Sequence, residues 1–203
     1  MTPLLFAGLG ALGLGAVFYG KTDNTIPPVD MGSGNEWDAP VNYSTDTTDA
    51  APGETDSVDS SANVDAFLAA LRQGESGGVG YGALYGGGTF ADFSHHPADK
   101  SYPNAWLGVI TKWGPTHAAG AYQFQPGTWK EAATACQLSD FSPDSQDIAA
   151  RFLISRRGAL DAVKAGDWKT AFLKLRTEWQ SIPLRGSAWY LAQIDTAGGS
   201  VQA

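Results

Sequence analysis

The sequence predicts an α+β domain, mostly helical with one small glycine-rich β insertion, preceded by an N-terminal transmembrane helix and a disordered linker. Three observations predict it. Apolar residues recur at helical spacing in several stretches beyond residue 62. Residues 77–89, GGVGYGALYGGGT, are more than half glycine, which a stable helix does not tolerate. Charge is unevenly divided: residues 22–61 hold nine Asp or Glu and no Lys or Arg, whereas residues 62–203 hold twelve acidic and twelve basic residues. The net charge of −8 therefore belongs to one segment. The expected organisation is an anchor at 1–20, an acidic flexible linker at 21–61 and a folded domain at 62–203.

Residues 2–20 carry no charge and just reach the length of about 20 residues that a bilayer core requires. Ala7, Ala11 and Gly15 form a small-residue stripe suited to helix association. No basic residue precedes the run, so it lacks the start of a secretory signal peptide. A single-pass membrane anchor is the expected reading. GLGALG at 8–13 matches G-x-G-x-x-G, but only seven residues precede it, too few for the strand such a site needs, and no acid stands at position 33 to hold a ribose (Asp30 lies nearby), so it does not read as a dinucleotide site. The linker that follows is rich in Asp, Thr, Ser and Pro, and cannot bury enough apolar surface to fold. A flexible chain of about 40 residues spans roughly 35 Å between its ends, a useful reach for a tethered domain.

In the folded part, Val64, Phe67, Leu68 and Leu71 mark one face of a first helix, with Ser61 or Asn63 as cap. The glycine run at 77–89 reads as a small hairpin or long loop carrying Tyr81, Leu84 and Tyr85. TWKE at 128–131 reads as a capping box opening a second helix. Ser142-Pro143 opens a third, with Ile148, Phe152 and Leu153 as its apolar stripe. A short helix spans about 158–165. Another runs from Asp167 to about Trp179, with Trp168, Phe172 and Leu175 inward, and Pro183 stops it.

No basic stripe suggests nucleic acid as a partner. Cys136 is the only cysteine, which precludes an intramolecular disulfide and reads as a buried, inert thiol. His95 and His96 are adjacent and point apart in an extended segment, and no Cys or His pair has metal spacing. Neither a metal nor another cofactor is expected. Among the seven tryptophans, Trp106 and Trp113 lie in a loop-like stretch and are the candidates for stacking on a ligand ring, while Trp168 and Trp179 read as core.

The stretch LRQGESGG at 71–78 carries the chemistry. Val64, Leu68, Leu71 and Glu75 are separated by four, three and four residues, so Glu75 continues the apolar stripe of the first helix. A carboxylate on an apolar face is costly to ionise, and its pKa rises. Such an acid holds a proton at neutral pH and can donate it to a leaving group. Glycines just after it would leave room for a substrate chain.

FLAALRQGESGG (67–78), FADFSHHP (90–97), AAGAYQF (118–124), DFSPDSQDIA (140–149), RRGAL (156–160) and EWQSIP (178–183) together resemble the lambda-phage endolysin family of lytic transglycosylases, in the same order and with similar gaps over roughly residues 63–185. The resemblance implies a lysozyme-like fold and cleavage of the β-1,4 bond between N-acetylmuramic acid and N-acetylglucosamine in peptidoglycan strands, the implied partner. It implies that Glu75 is the catalytic glutamate and that Tyr122 and Gln123 line the sugar cleft. Ser76, Asp92 and Trp179 complete the expected substrate-binding set, and Ser181 shares a matched block with Trp179. Where the family carries a tyrosine or glycine-rich loop after the SIP block, this chain reads LRGSAWY (184–190), which leaves that edge of the groove unassigned. With the anchor, the resemblance implies a place in a phage virion membrane or in the host inner membrane facing the periplasm.

Glycosidases that hydrolyse their substrate normally use two carboxylates. Hydrolysing phage lysozymes resemble one another in an Asp nine residues after the Glu, and here that position is Leu84. The next acid is Asp92, which reads either as a turn residue bonding backbone amides or as a second acid. A lone Glu75 suits a reaction in which the sugar's own C6 hydroxyl closes a 1,6-anhydro ring. The alternatives are a hydrolytic muramidase using Glu75 and Asp92, and a non-enzymatic wall-binding virion protein.

Overall fold

The computed structural model describes residues 60–112 and 114–201. The expected anchor, almost all of the linker, and Trp113 lie outside the described residues. Among the described residues no helix is long and apolar enough to cross a membrane.

The elements run α1 (Ser60–Ser76), β1 (Val109–Thr111), β2 (Gly114–Thr116), α2 (Pro126–Ala135), α3 (Pro143–Arg156), α4 (Leu160–Lys164), α5 (Trp168–Leu175), α6 (Ser181–Arg185) and α7 (Ser187–Thr196). Helix α1 is the central element. Its stripe of Val64, Phe67, Leu68 and Leu71 is at most 2% exposed, and α4, α6 and α7 lie against it. Burying a side chain of this size stabilises the fold by about 1.5–3 kcal/mol. Phe67 stacks on Trp168 at 6.0 Å, joining α1 to α5. The helix opens at Ser60, so Asn63 falls inside its first turn instead of capping it. The buried Asn63 amide donates to the Lys164 carbonyl at 3.0 Å and accepts from the Ser200 amide at 2.8 Å, tying the C-terminal end of the described chain to α1.

Several expected elements form as read. Ser142 caps α3 by accepting from the Ser145 amide, with Pro143 at the first position. Asp167 caps α5 through the Thr170 amide. Others differ. Helix α2 begins at Pro126, two residues before TWKE, because proline is pre-set for a first turn. The buried face of α3 is Gln146, Ala149, Ala150, Leu153 and Ile154, and Ile148 points outward. Helix α5 ends at Leu175, so Trp179 is buried in the following turn and Pro183 sits in the first turn of α6. Helix α7 carries no strong apolar period and was not expected.

The paired strands are also not where glycine abundance pointed. The antiparallel ladder pairs Val109 with Thr116, Ile110 with Pro115 and Thr111 with Gly114. The 77–89 run makes only single bridges, Ala83 to Thr89 and Leu84 to Ala119. Ala119 in turn bridges Phe124, closing the tight turn GAYQ, in which Gln123 takes a left-handed φ of 52°.

Candidate active site

Glu75 lies in the last turn of α1, half-buried. Its Oε1 accepts a hydrogen bond from the Ser181 amide at 3.3 Å and a second from the Ser181 hydroxyl. Ser181 is buried at the start of α6, and its Oγ also bonds the hydroxyl of Tyr190 from α7. Arg185, at the end of α6, donates from Nε to the Gly74 carbonyl at 3.1 Å, and its guanidinium lies 4.5 Å from the Trp189 ring centre. Gly74 makes this convergence possible: a Cβ there would overlap the Tyr190 hydroxyl and come within 3.1 Å of Ser181 Oγ.

Burial is the dominant influence on Glu75 and raises its pKa from 4.5 to about 7, against the opposing Ser181 hydrogen bonds and the Arg185 charge. The carboxyl is therefore divided between acid and base near neutral pH, the condition that acid–base catalysis favours. The sequence anticipates the direction of this shift from burial alone, whereas the structure sets polar partners, Ser181 and Arg185, beside the carboxyl.

A second polar cluster sits about one turn earlier on α1. Arg72 donates from Nη1 to the Tyr122 hydroxyl at 2.9 Å and to Asp147 Oδ1 at 3.4 Å. Asp147 also accepts from Tyr122 at 2.5 Å and from Tyr81 at 3.0 Å. Burial, then the Asp147 charge, pushes the Tyr81 phenol up to about 12. The same causes in the same order raise Tyr122, so both phenols stay protonated donors. A cavity of about 230 Å³ adjoins this face, lined in part by Arg72, Gln73, Ser76, Gly80 and Tyr81.

Of the expected substrate-binding residues, Ser76 is half-buried at this cavity. Its hydroxyl donates to the Arg72 carbonyl at 2.7 Å and accepts from the Gly80 amide at 3.1 Å, fixing the chain as it leaves α1. Tyr122, Gln123 and Trp179 all lie beneath the surface, at 1%, 7% and 2% exposure. The Gln123 amide donates to the Gly120 carbonyl at 2.9 Å, and Trp179 Nε1 donates to the Tyr122 carbonyl at 3.3 Å. All three have their polar groups engaged inside the protein, and Tyr122 is tied to α1 through Arg72. Asp92 is exposed and accepts from the Ser94 amide at 2.9 Å, and that bond lowers its pKa. Leu84, where a hydrolysing relative would carry Asp, is half-buried against the core.

His95 stacks on Tyr102, whereas His96 is buried, held by the Phe124 carbonyl and the Ala98 amide, and burial lowers its pKa to about 4. Trp106 meets His117 edge to face at 6.3 Å. Burial pushes the half-buried Cys136 thiol up, away from nucleophilic activation. A cavity of about 770 Å³ lies between the 96–101 loop and α2; its lining includes His117, Trp129 and Lys130, and it shares no residue with the Glu75 shell.

Sequence reasoning missed Tyr190, Arg185, Asp147 and Gly74. Gly74 alone had a local signal, a glycine inside a helical pattern, which usually marks close packing.

Residues 65–198 match the family described as Endolysin. The chain is 32% identical to the endolysin of Escherichia phage lambda over 130 residues, covering 61% of this chain and 78% of that protein. It is 38% identical to the endolysin of Escherichia phage P2 over 98 residues, covering 48% of this chain and 58% of that protein. The fold is similar to bacteriophage lambda lysozyme solved in complex with a chitohexasaccharide, with a TM-score of 0.60 and 28% identity, covering 74% of this chain and 99% of that one. A further structure of lambda lysozyme gives a TM-score of 0.60 at 27% identity, with the same coverage. These likenesses favour an enzyme over the wall-binding alternative. On these likenesses the chain belongs to the endolysin family and is a lysozyme-like enzyme that cleaves peptidoglycan.

Proposed function

We propose that the enzyme is a lytic transglycosylase that cleaves the β-1,4 bond between N-acetylmuramic acid and N-acetylglucosamine and leaves a 1,6-anhydro ring. The observation that carries the reading is the Glu75 carboxyl, poised at about 7, with Oε1 accepting from the Ser181 amide and hydroxyl. Neutral Glu75 protonates the glycosidic oxygen, and the bond to the muramic C1 breaks. Glu75, now a carboxylate, takes the proton of the muramic C6 hydroxyl as that oxygen bonds to C1. One proton leaves the enzyme and one returns, and no water is consumed. Leu84 at the position of a second acid, and Asp92 turned onto its own backbone, support this route over hydrolysis. The chitohexasaccharide bound by the lambda relative supports a glycan strand as the ligand.

Mass spectrometry of muropeptides released from purified wall tests the reading. The expected fragments end in anhydromuramic acid and are lighter by one water than reducing-end products. Reducing ends as the main product would instead establish hydrolysis. Loss of both products in Glu75→Gln would place the chemistry at this carboxyl.

A further inference from the structure

We infer that Tyr190 is a positioning residue for the general acid: acting through Ser181, it decides which oxygen of Glu75 carries the transferable proton. The inference rests on the role of Glu75 proposed above. It draws on the LRGSAWY stretch, the segment that departs from the family pattern.

The argument is a count of hydrogens. Ser181 Oγ has one hydrogen and touches two oxygens, Glu75 Oε1 and the Tyr190 hydroxyl. Burial, then the charge of Glu75, raises the Tyr190 pKa, so its phenol keeps its proton throughout the working range. An ionised Glu75 accepts only. Ser181 must then donate to Glu75, and Tyr190 must donate to Ser181. With Tyr190 supplying the hydrogen behind it, Ser181 keeps the same orientation when Glu75 gains its proton. Oε1 then receives two fixed donors, the Ser181 hydroxyl and the Ser181 amide. The acid proton is left on Oε2, the oxygen without a protein donor among the described residues.

Without the Tyr190 hydroxyl, Ser181 is free to accept from a protonated Glu75. The proton would then point into the protein instead of toward the glycan. The carboxylate would also lose support from the donor chain, and its pKa would rise. The charged and titratable groups facing Glu75 are Arg185 from α6 and Tyr190 from α7. On α1 itself, Arg72 is engaged by Tyr122 and Asp147. Tyr190→Phe alters none of these charges, and it preserves the ring contacts with Phe172 and Trp189.

The test is the pH–rate profile of wall lysis by Tyr190→Phe. The expected result is a kcat lower by about tenfold, an unchanged KM for wall, and an alkaline limb displaced upward by half a pH unit or more. Ser181→Ala should lose more, and the double variant should match Ser181→Ala alone, because the hydroxyls act in series. Gly74→Ala supplies an independent arm, since its methyl would displace the Tyr190 hydroxyl without altering either hydroxyl chemically. It should reproduce the displaced limb in the native background. A native limb and native kcat in Tyr190→Phe would overturn the inference, as would losses that add in the double variant, or a lowered Tm with no change in the profile. Activity surviving Glu75→Gln would instead remove the reading beneath it.

Discussion

Helix α1 carries two acid-bearing clusters about a turn apart, and they are built to opposite ends. In the first, Asp147 has the Arg72 guanidinium 3.4 Å away and two phenols donating to it, so its charge is balanced. In the second, the neighbouring guanidinium of Arg185 bonds the Gly74 carbonyl, and among the described residues Glu75 receives only hydroxyl and amide hydrogens. An acid paired with a cation stays charged and holds elements together. An acid with burial but no bonded cation keeps its proton and can give it away. The enzyme uses the first arrangement to anchor α1 to α3 and the GAYQ turn. In the proposed mechanism the second arrangement works on substrate.

Exchanging the acid for an amide at each place separates the two roles. The largest effect falls on Glu75→Gln: lysis of purified wall should drop by at least about 10²-fold, the usual contribution of a positioned acid, while the far-ultraviolet circular dichroism stays native. Retained lysis would mean that the working acid lies elsewhere.

The same variant also reads out stability. Because the folded pKa of about 7 lies above the ordinary 4.5, the folded state holds the Glu75 proton more tightly than the unfolded chain. That advantage is full below about pH 4.5 and is lost as pH rises through about 7. Relative to the native chain, Glu75→Gln should gain about 2–3 kcal/mol between pH 4.5 and pH 8, measured by urea unfolding at both values. A difference independent of pH would mean that Glu75 titrates normally.

Asp147→Asn should behave in the opposite way. It places an amide where three donors converge and leaves Arg72 without its carboxylate, so it should cost about 2 kcal/mol at neutral pH. The urea midpoint should fall with an unchanged slope. The lysis rate per folded molecule should change much less than in Glu75→Gln. A large catalytic loss at native stability would make Asp147 part of the chemistry.

Local pattern sufficed for the inner face of α1 and for two helix caps, though not for the start of α2 or the buried face of α3. The stripe from Val64 to Leu71 placed Glu75 on the inner face, and the caps at Ser142 and Asp167 set the starts of α3 and α5. Pattern failed where the cause is distant. The partners of Glu75 lie 106 residues away at Ser181, and the Gly74–Arg185 contact spans 111. No periodicity encodes such a meeting. Tyr122 and Trp179, which the family resemblance sets among the substrate-binding residues, engage their polar atoms inside the protein, and helical spacing alone reads Trp179 as core. Paired strands formed at 109–116 because extended Val109 and Ile110 can zip across a short turn, while the glycines at 77–89 offer few side chains to pair.

The smallest expected effect sharpens the contrast between one acid and two. Asp92 is exposed, and its carboxylate caps the Ser94 amide. Asp92→Asn keeps an oxygen that can accept that bond, so the turn should persist. If Glu75 works alone, the lysis rate should stay within about threefold of native, well short of the 10² or more that follows removal of a positioned acid or base, and the fragments should keep their anhydro ends. A two-carboxylate hydrolase behaves otherwise: removing the base that activates water would depress the rate as severely as removing Glu75, and any residual product would carry reducing ends. Rate and product mass from this one variant therefore decide whether the second acid of the glycosidase pair is missing here or has moved to Asp92.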